Sequence, residues 1–167
     1  MNEKAQSYKI QLNLQPHPEG GYFREVYRSD EILKKEFHPL HYDGDRNLAT
    51  SIYFMLEGEQ TSKFHRLKSD EQWHFYDGCP AKIYSLNENY RLSVITLGNN
   101  ISSGEIFQTV IKQNHWFAAE LADKNSFCLV GCVVSPGFDF SDFELARREE
   151  LIAKFPQHKE LITKFTV

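Results

Sequence analysis

The chain has 167 residues and a formal net charge of −4, with a pI near 6.0. A content of 41% hydrophobic and 25% charged residues is typical of a globular protein, and the length suits one domain over residues 1–167. No basic cluster supports nucleic-acid binding. No apolar run approaches the roughly 20 residues that a membrane-spanning helix needs, and the N-terminus lacks the apolar stretch of a signal peptide. Three cysteines without CxxC spacing indicate reduced thiols, so we expect a cytoplasmic protein that binds neither nucleic acid nor membrane.

The chain opens with a predicted short helix, because Ala5, Tyr8 and Leu12 recur at helical spacing. The helix should end near Pro16, since the residue before a proline avoids helical geometry. Residues 17–21 (HPEGG) then predict a turn, in which two glycines can adopt positive φ. We assign His17 to this turn and not to a functional site.

Most of the remaining chain predicts short β-strands. A polar loop covers 29–46, where His38 and His41 flank Pro39 and are interpreted as surface residues. Short aromatic and β-branched segments, separated by Asn, Gly, Asp and Pro, predict an antiparallel sandwich or barrel. The predicted strands cover 22–29, 48–56, 62–67, 71–78, 81–86, 90–98, 105–112, 115–121 and 126–134.

The C-terminal part changes character and predicts two helices. Ser141 and Glu144 have the spacing of a capping box, and apolar residues then alternate with charges at near-helical spacing. Pro156 should interrupt this helix, and residues 157–165 predict a second short one. We expect both helices to pack outside the β-structure.

One motif carries the strongest functional signal. Gly58, His65, Leu67, Glu71 and Gly78 have the spacing G-x6-H-x-L-x3-E-x6-G, which resembles the first signature of the cupin superfamily. In that signature a His-x-His pair and a Glu hold a metal inside a small β-barrel, whereas Leu67 stands here in place of the second His.

Further segments narrow the resemblance. The segments HPEGGY (17–22), TSIYF (50–54), DEQWHFY (70–76) and PGFDF (136–140) resemble a branch of the cupins described as predicted sugar epimerases. The resemblance implies an all-β cupin jelly-roll barrel of antiparallel strands, with a short N-terminal helix and C-terminal helices packed outside. It also implies a homodimer that acts on a small molecule.

The residues of the two cupin signatures also argue against a bound metal. The second cupin signature falls best on 112–121 and puts Phe117 where the remaining metal-binding His would be. His65 and Glu71 are then the two ligands left, and a catalytic metal commonly has at least three protein ligands. Strict alternation along the strand turns His74 away from Glu71. We therefore expect no cofactor; a divalent metal on His65, Glu71 and a recruited His74 is the alternative.

Without a metal, His65 is the predicted catalytic base. Glu71 would orient its ring and raise its pKa toward neutral pH. As the resemblance implies, a tyrosine would return the proton, and Tyr53 and Tyr76 are the candidates on neighbouring strands. Glu71 is thus counted with the catalytic residues.

Other residues are predicted to bind the ligand. Arg24 or Lys63 would hold a phosphate or carboxylate, or steady an enolate. Alternation places Lys63, His65 and Leu67 on one face. The predicted pocket-lining side chains are Leu67, Trp73, Phe75 and Phe117.

Three functions remain open from the sequence. The first is a metal-independent epimerase or isomerase that acts on a sugar or related carbonyl compound. The second is a non-catalytic binding module for an apolar or amphiphilic ligand, and the third is a metal-dependent cupin with divergent ligands. A fold hosts many functions, so the resemblance alone does not choose among them.

Overall fold

The computed structural model describes residues 2–37 and 42–167, so His38 and His41 lie outside the described residues. No described helix is long and apolar enough to cross a bilayer. The helices and strands, in chain order, are α1 (Glu3–Gln11), β1 (Gln15–Pro16), β2 (Tyr22–Arg28), β3 (Ile32–Leu33), β4 (Arg46–Asn47), β5 (Thr50–Glu57), β6 (Thr61–Arg66), β7 (Asp70–Gly78), β8 (Ala81–Leu86), β9 (Leu92–Leu97), β10 (Gln108–Ile111), β11 (Trp116–Leu121), β12 (Phe127–Ser135), β13 (Glu144–Leu145), α2 (Arg148–Lys154) and α3 (Lys159–Lys164).

Two antiparallel sheets face each other. One has the strand order β1-β2-β5-β12-β7-β10 and the other β13-β6-β11-β8-β9. Alternation along the strands divides their apolar residues between two faces: Phe117 and Ala119 of β11 enter the core between the sheets, while Trp116 and Ala118 face outward. The predicted jelly-roll barrel of antiparallel strands is confirmed.

The helices cover the outer faces of the sheets, as predicted. Ala5 of α1 is fully buried beside Met55 and Leu129, on the outside of the six-stranded sheet. Leu151 and Ile162, from α2 and α3, pack on the outside of the other sheet. The inner faces of both sheets therefore remain free to form a shared interior.

The predicted capping box at Ser141 and Glu144 is wrong. The side chain of Asp139 accepts hydrogen bonds from the backbone and the hydroxyl of Ser141. Glu144 lies in the short strand β13, paired with Arg66. The helix begins only at Arg148, because residues 140–145 are held against the barrel as a short 3₁₀ turn and a strand. The capping-box spacing was thus overridden by the pairing of β13 with β6.

Candidate functional site

A cavity of about 300 Å³ opens at one end of the barrel, between the two sheets. Its size lies at the lower end of the range for small-molecule sites. The wall is mostly aromatic and aliphatic, with a group of ionisable side chains among them. The lining residues that carry the argument are His17, Glu19, Glu25, Arg28, His65, Leu67, Glu71, Trp73, Phe138, Asp139, Phe140 and Phe143.

The HPEGG turn projects two polar side chains into this cavity. Gly20 and Gly21 adopt φ of 113° and 71°. A Cβ on Gly20 would lie 2.1 Å from the carbonyl oxygen of Thr61. The turn therefore lies directly against the β5–β6 hairpin, and its two flanking side chains, His17 and Glu19, face the interior. The sequence assigned His17 only to the turn; the structure places it in the cavity.

A β-bulge in β6 sets the position of His65. Phe117 pairs with His65 and Ala119 with Ser62, so three steps on β6 oppose two on β11. Ser62 and His65 consequently both face inward, where strict alternation would separate them. Lys63, predicted on the face of His65, is half-buried and does not line the cavity.

Glu19, not Glu71, is the carboxyl group that lies within ion-pair distance of the His65 ring. Nε2 of His65 lies 3.1 Å from Oε2 of Glu19, and Ser62 donates a hydrogen bond of 2.8 Å to the other carboxyl oxygen. Nδ1 of His65 lies 2.7 Å from the carbonyl oxygen of Lys63. Because a carbonyl can only accept, Nδ1 carries a proton and Nε2 of the neutral ring faces Glu19 as an acceptor.

Burial changes the protonation of this group. Desolvation lowers the pKa of His65, against the opposing effect of Glu71, and raises the pKa of Glu19 to about 8. Desolvation, together with His65, lowers the pKa of His17 to about 4. The predicted increase in the pKa of His65 is thus reversed, because full burial outweighs its acidic neighbours.

Glu71 differs from Glu19 in having an oxygen without a partner. Burial, with the charge of Glu19, raises the pKa of Glu71 to about 7. His65, and then Trp73 and Cys132, oppose this rise in pKa. Trp73 is close enough to act on the carboxyl group, but the geometry falls short of a hydrogen bond, since in the described part of the chain Oε2 of Glu71 and Nε1 of Trp73 have no partner. Both side chains belong to the cavity wall. Buried polar atoms normally have partners, so the hydrogen bonding of these two neighbouring side chains is incomplete in the described part of the chain.

The structure separates the predicted tyrosines from the cavity. The hydroxyl of Tyr76 covers the outer side of Gly131, where an added Cβ would lie 2.1 Å from it. The rings of Tyr53 and Tyr76 pack against each other, 6.1 Å apart. Neither lines the cavity, because both lie on the face of the sheet opposite to Ile52 and Cys132.

The other predicted ligand-binding residues divide in the same way. Leu67 and Trp73 line the cavity. Arg24 points outward and donates to the carbonyl of Leu12, while Arg28 on the same strand reaches the cavity. Phe75 and Phe117 pack in the core behind the wall.

The metal alternative does not fit these residues. Phe117 stacks 4.0 Å from the ring of His65, centroid to centroid, where a further ligand would be needed. His74 does not line the cavity. Within residues 2–37 and 42–167, no three His, Cys, Asp or Glu side chains are grouped so that they could hold a metal ion. We derive no step through a metal.

Several cavity residues were missed because they come from distant segments. Glu25 and Arg28 lie on β2, and Phe138, Asp139 and Phe140 follow β12. Residues 22–29 were predicted as a strand, and residues 136–140 were noted only for the resemblance. The pairing of glycines with His17 and Glu19 in one turn was a usable signal, since such a turn fixes the side chains beside it.

Relatives of the chain include solved structures. Protein SO0799 from Shewanella oneidensis is 37% identical, with a TM-score of 0.87 over 98% of this chain and 97% of that one. A hypothetical protein from Leishmania major is 32% identical, with a TM-score of 0.85 over 97% and 98%. Oxalate decarboxylase from Bacillus subtilis, at 17% identity and a TM-score of 0.54, shares the fold alone; the match covers 90% of this chain and 36% of that enzyme.

Sequence comparison agrees with the structural one. Uncharacterized protein YML079W of Saccharomyces cerevisiae is 27% identical over 143 residues, which is 80% of this chain and 71% of that protein. The family Cupin_5, described as Cupin superfamily (DUF985), matches residues 8–146, which include the HPEGG turn and every cavity residue named above. The chain therefore belongs to this family of the cupin superfamily.

Proposed function

We propose that the protein binds a small carbonyl compound and moves a proton at the neighbouring carbon without a metal, as an epimerase or isomerase of a sugar or related compound. The observation that carries this proposal is Glu71, a buried carboxyl group in the cavity wall with a pKa raised to about 7. One of its oxygens has no hydrogen-bond partner among the described residues. A carboxylate with such a pKa is matched to proton transfer at neutral pH.

The proposed step uses residues that the cavity brings together. Ionised Glu71 takes the proton from the carbon, the C–H electron pair moves onto the carbonyl oxygen, and the enol or enolate forms. The indole N–H of Trp73, buried and without a hydrogen-bond partner among the described residues, is our candidate donor for that oxygen. Return of the proton from Glu71 restores the substrate. Return from a second acid to the opposite face inverts the carbon, and Glu19, protonated through burial, is our candidate for that acid.

The runner-up function is a non-catalytic binding module. The specific observation that favours it is the aromatic wall, in which Phe138, Phe140 and Phe143 pack around the cavity. Binding an apolar ligand needs no proton transfer, so the two functions differ in one measurable property.

That property is exchange of carbon-bound hydrogen with solvent. The protein is incubated in D₂O with a panel of simple sugars and small ketones, and proton NMR follows loss of the signal next to the carbonyl. Exchange faster than without protein supports the proposed enzyme. Binding without faster exchange across the panel favours the binding module and contradicts the enzyme.

The pH dependence of exchange identifies the base. Since Glu71 must be ionised to accept a proton and its pKa is raised to about 7, we expect the rate to rise about tenfold per pH unit below pH 7 and to level off above it. An exposed carboxylate would give a flat profile over the same range, because its pKa is near 4.3. The measurement is the exchange rate between about pH 5 and pH 9. A flat profile would exclude Glu71 as the base.

A further inference from the structure

Arg28 is the one lysine or arginine among the described residues that line the cavity, and its guanidinium is fully engaged. Nε and Nη2 donate to the two carboxyl oxygens of Glu25, at 2.9 and 2.7 Å. Nη1 donates to Oδ1 of Asn47 at 2.7 Å. Both terminal nitrogens also donate to the carbonyl oxygen of Phe138, at 3.2 Å each. A guanidinium has five N–H donors, and five hydrogen bonds to protein use them.

The remaining ionisable groups of the described wall are carboxyls, the imidazoles of His17 and His65, and the thiol of Cys132. Besides Glu25, the carboxyls are those of Glu19, Glu71 and Asp139. Asp139 accepts two hydrogen bonds from Ser141, and its pKa is lowered by them. Glu19 is protonated at neutral pH and Glu25 is paired with Arg28. An anionic ligand would therefore meet the negative charges of Asp139 and of ionised Glu71, and among the described residues of the wall no lysine or unpaired arginine would compensate for them.

The rest of the wall is mostly aromatic and aliphatic, and its aromatic rings pack against one another. The rings of Phe138 and Phe140 are edge-to-face at 5.0 Å, and those of Phe140 and Phe143 are edge-to-face at 6.2 Å. The ring of His17 packs edge-on to Phe23 at 4.6 Å. Such walls bury flat apolar groups with little loss of side-chain freedom.

From the engaged Arg28, the acidic wall and the aromatic packing, we infer that the natural ligand is an uncharged carbonyl compound with a flat apolar body, and not a simple sugar. We expect phosphorylated sugars, nucleotide-linked sugars and carboxylates to bind more weakly than uncharged compounds of the same shape. That the ligand contains a carbonyl group rests on the proposed function. That it is uncharged and flat rests on the cavity alone.

Two matched ligand pairs test the inference in binding. Butyrophenone and benzoylpropionate share a phenyl ketone and differ at the chain end, which is a methyl or a carboxylate; the naphthyl analogues form the second pair. Isothermal titration calorimetry on the full chain should show the uncharged member binding at least about tenfold more tightly in both pairs. Equal affinity, or tighter binding of the carboxylate, would overturn the inference, and so would failure of both uncharged ketones to bind.

A variant shows whether the engagement of Arg28 is the cause. Glu25→Gln removes one charge and releases part of the guanidinium, so we expect the preference for the uncharged ketone to shrink at least about threefold. Glu88→Gln, in the exposed turn between β8 and β9, is the matched control and should keep the preference. An unchanged preference in Glu25→Gln would contradict this cause.

Binding and chemistry can fail separately in these experiments. A clear preference for the uncharged ketones without solvent exchange would leave the ligand class standing and remove the proposed enzyme. Solvent exchange on sugars together with tight binding of the carboxylates would support the proposed enzyme and overturn the inferred ligand class.

Discussion

Replacement of Glu71 by Gln should slow solvent exchange of the substrate by about 10²- to 10⁴-fold, the range that a positioned acid or base contributes. Gln has nearly the shape of Glu but cannot accept the proton. One oxygen of the buried Glu71 carboxyl has no hydrogen-bond partner in the described part of the chain. The replacement therefore breaks no hydrogen bond at that atom, and the fold should tolerate it. The measurement is the NMR exchange rate at a pH above 7, where native Glu71 is mostly ionised.

Two comparisons make this result specific. Glu88→Gln makes the same chemical change on the exposed β8–β9 turn and should keep the native rate. Calorimetry with butyrophenone should show that Glu71→Gln still binds a ketone, so that the loss lies in the chemical step. Retention of most of the exchange rate by Glu71→Gln would remove this residue from the reaction, whatever its pKa.

The barrel could be predicted from the sequence because its evidence is local. Short apolar segments separated by Asn, Gly, Asp and Pro predicted most of the strands, and the expectation of no cofactor, drawn from Leu67 and Phe117, stays a prediction. Strict alternation also separated His74 from Glu71. These inferences need only the side-chain period of a strand, which holds wherever the pairing is regular.

The site was harder because it depends on irregular features and on distant segments. The bulge in β6 turns Ser62 and His65 to the same side, which no two-residue period predicts. The carboxyl partner of His65 comes from a turn 46 residues earlier in the chain. The choice of Tyr53 and Tyr76 failed to account for their face of the sheet, since neighbouring strands alone do not give the direction of a side chain. The homodimer stays a prediction.

The HPEGG turn joins fold and site, so the other large effect is expected there. In Gly21→Ala, the new Cβ would lie 2.6 Å from the carbonyl oxygen of Met55 and 2.8 Å from Cδ2 of Leu56, at a φ of 71° that side chains rarely adopt. Met55 belongs to the central strand β5 and is fully buried, so the turn must move instead. We expect a loss of about 3 kcal/mol or more in the free energy of unfolding, from the steric clash and the strained backbone together.

Gly58→Ala separates the two causes. Gly58 has a similar φ of 64°, but its added Cβ would meet nothing closer than 3.8 Å. Gly58→Ala should therefore lower the free energy of unfolding only by the cost of the left-handed backbone conformation, about 1–2 kcal/mol. Urea denaturation of both variants measures the difference. If Gly21→Ala lost no more free energy of unfolding than Gly58→Ala, this would contradict a turn held against the barrel. Because that contact directs His17 and Glu19 into the cavity, a folded Gly21→Ala should also bind butyrophenone more weakly than Gly58→Ala does.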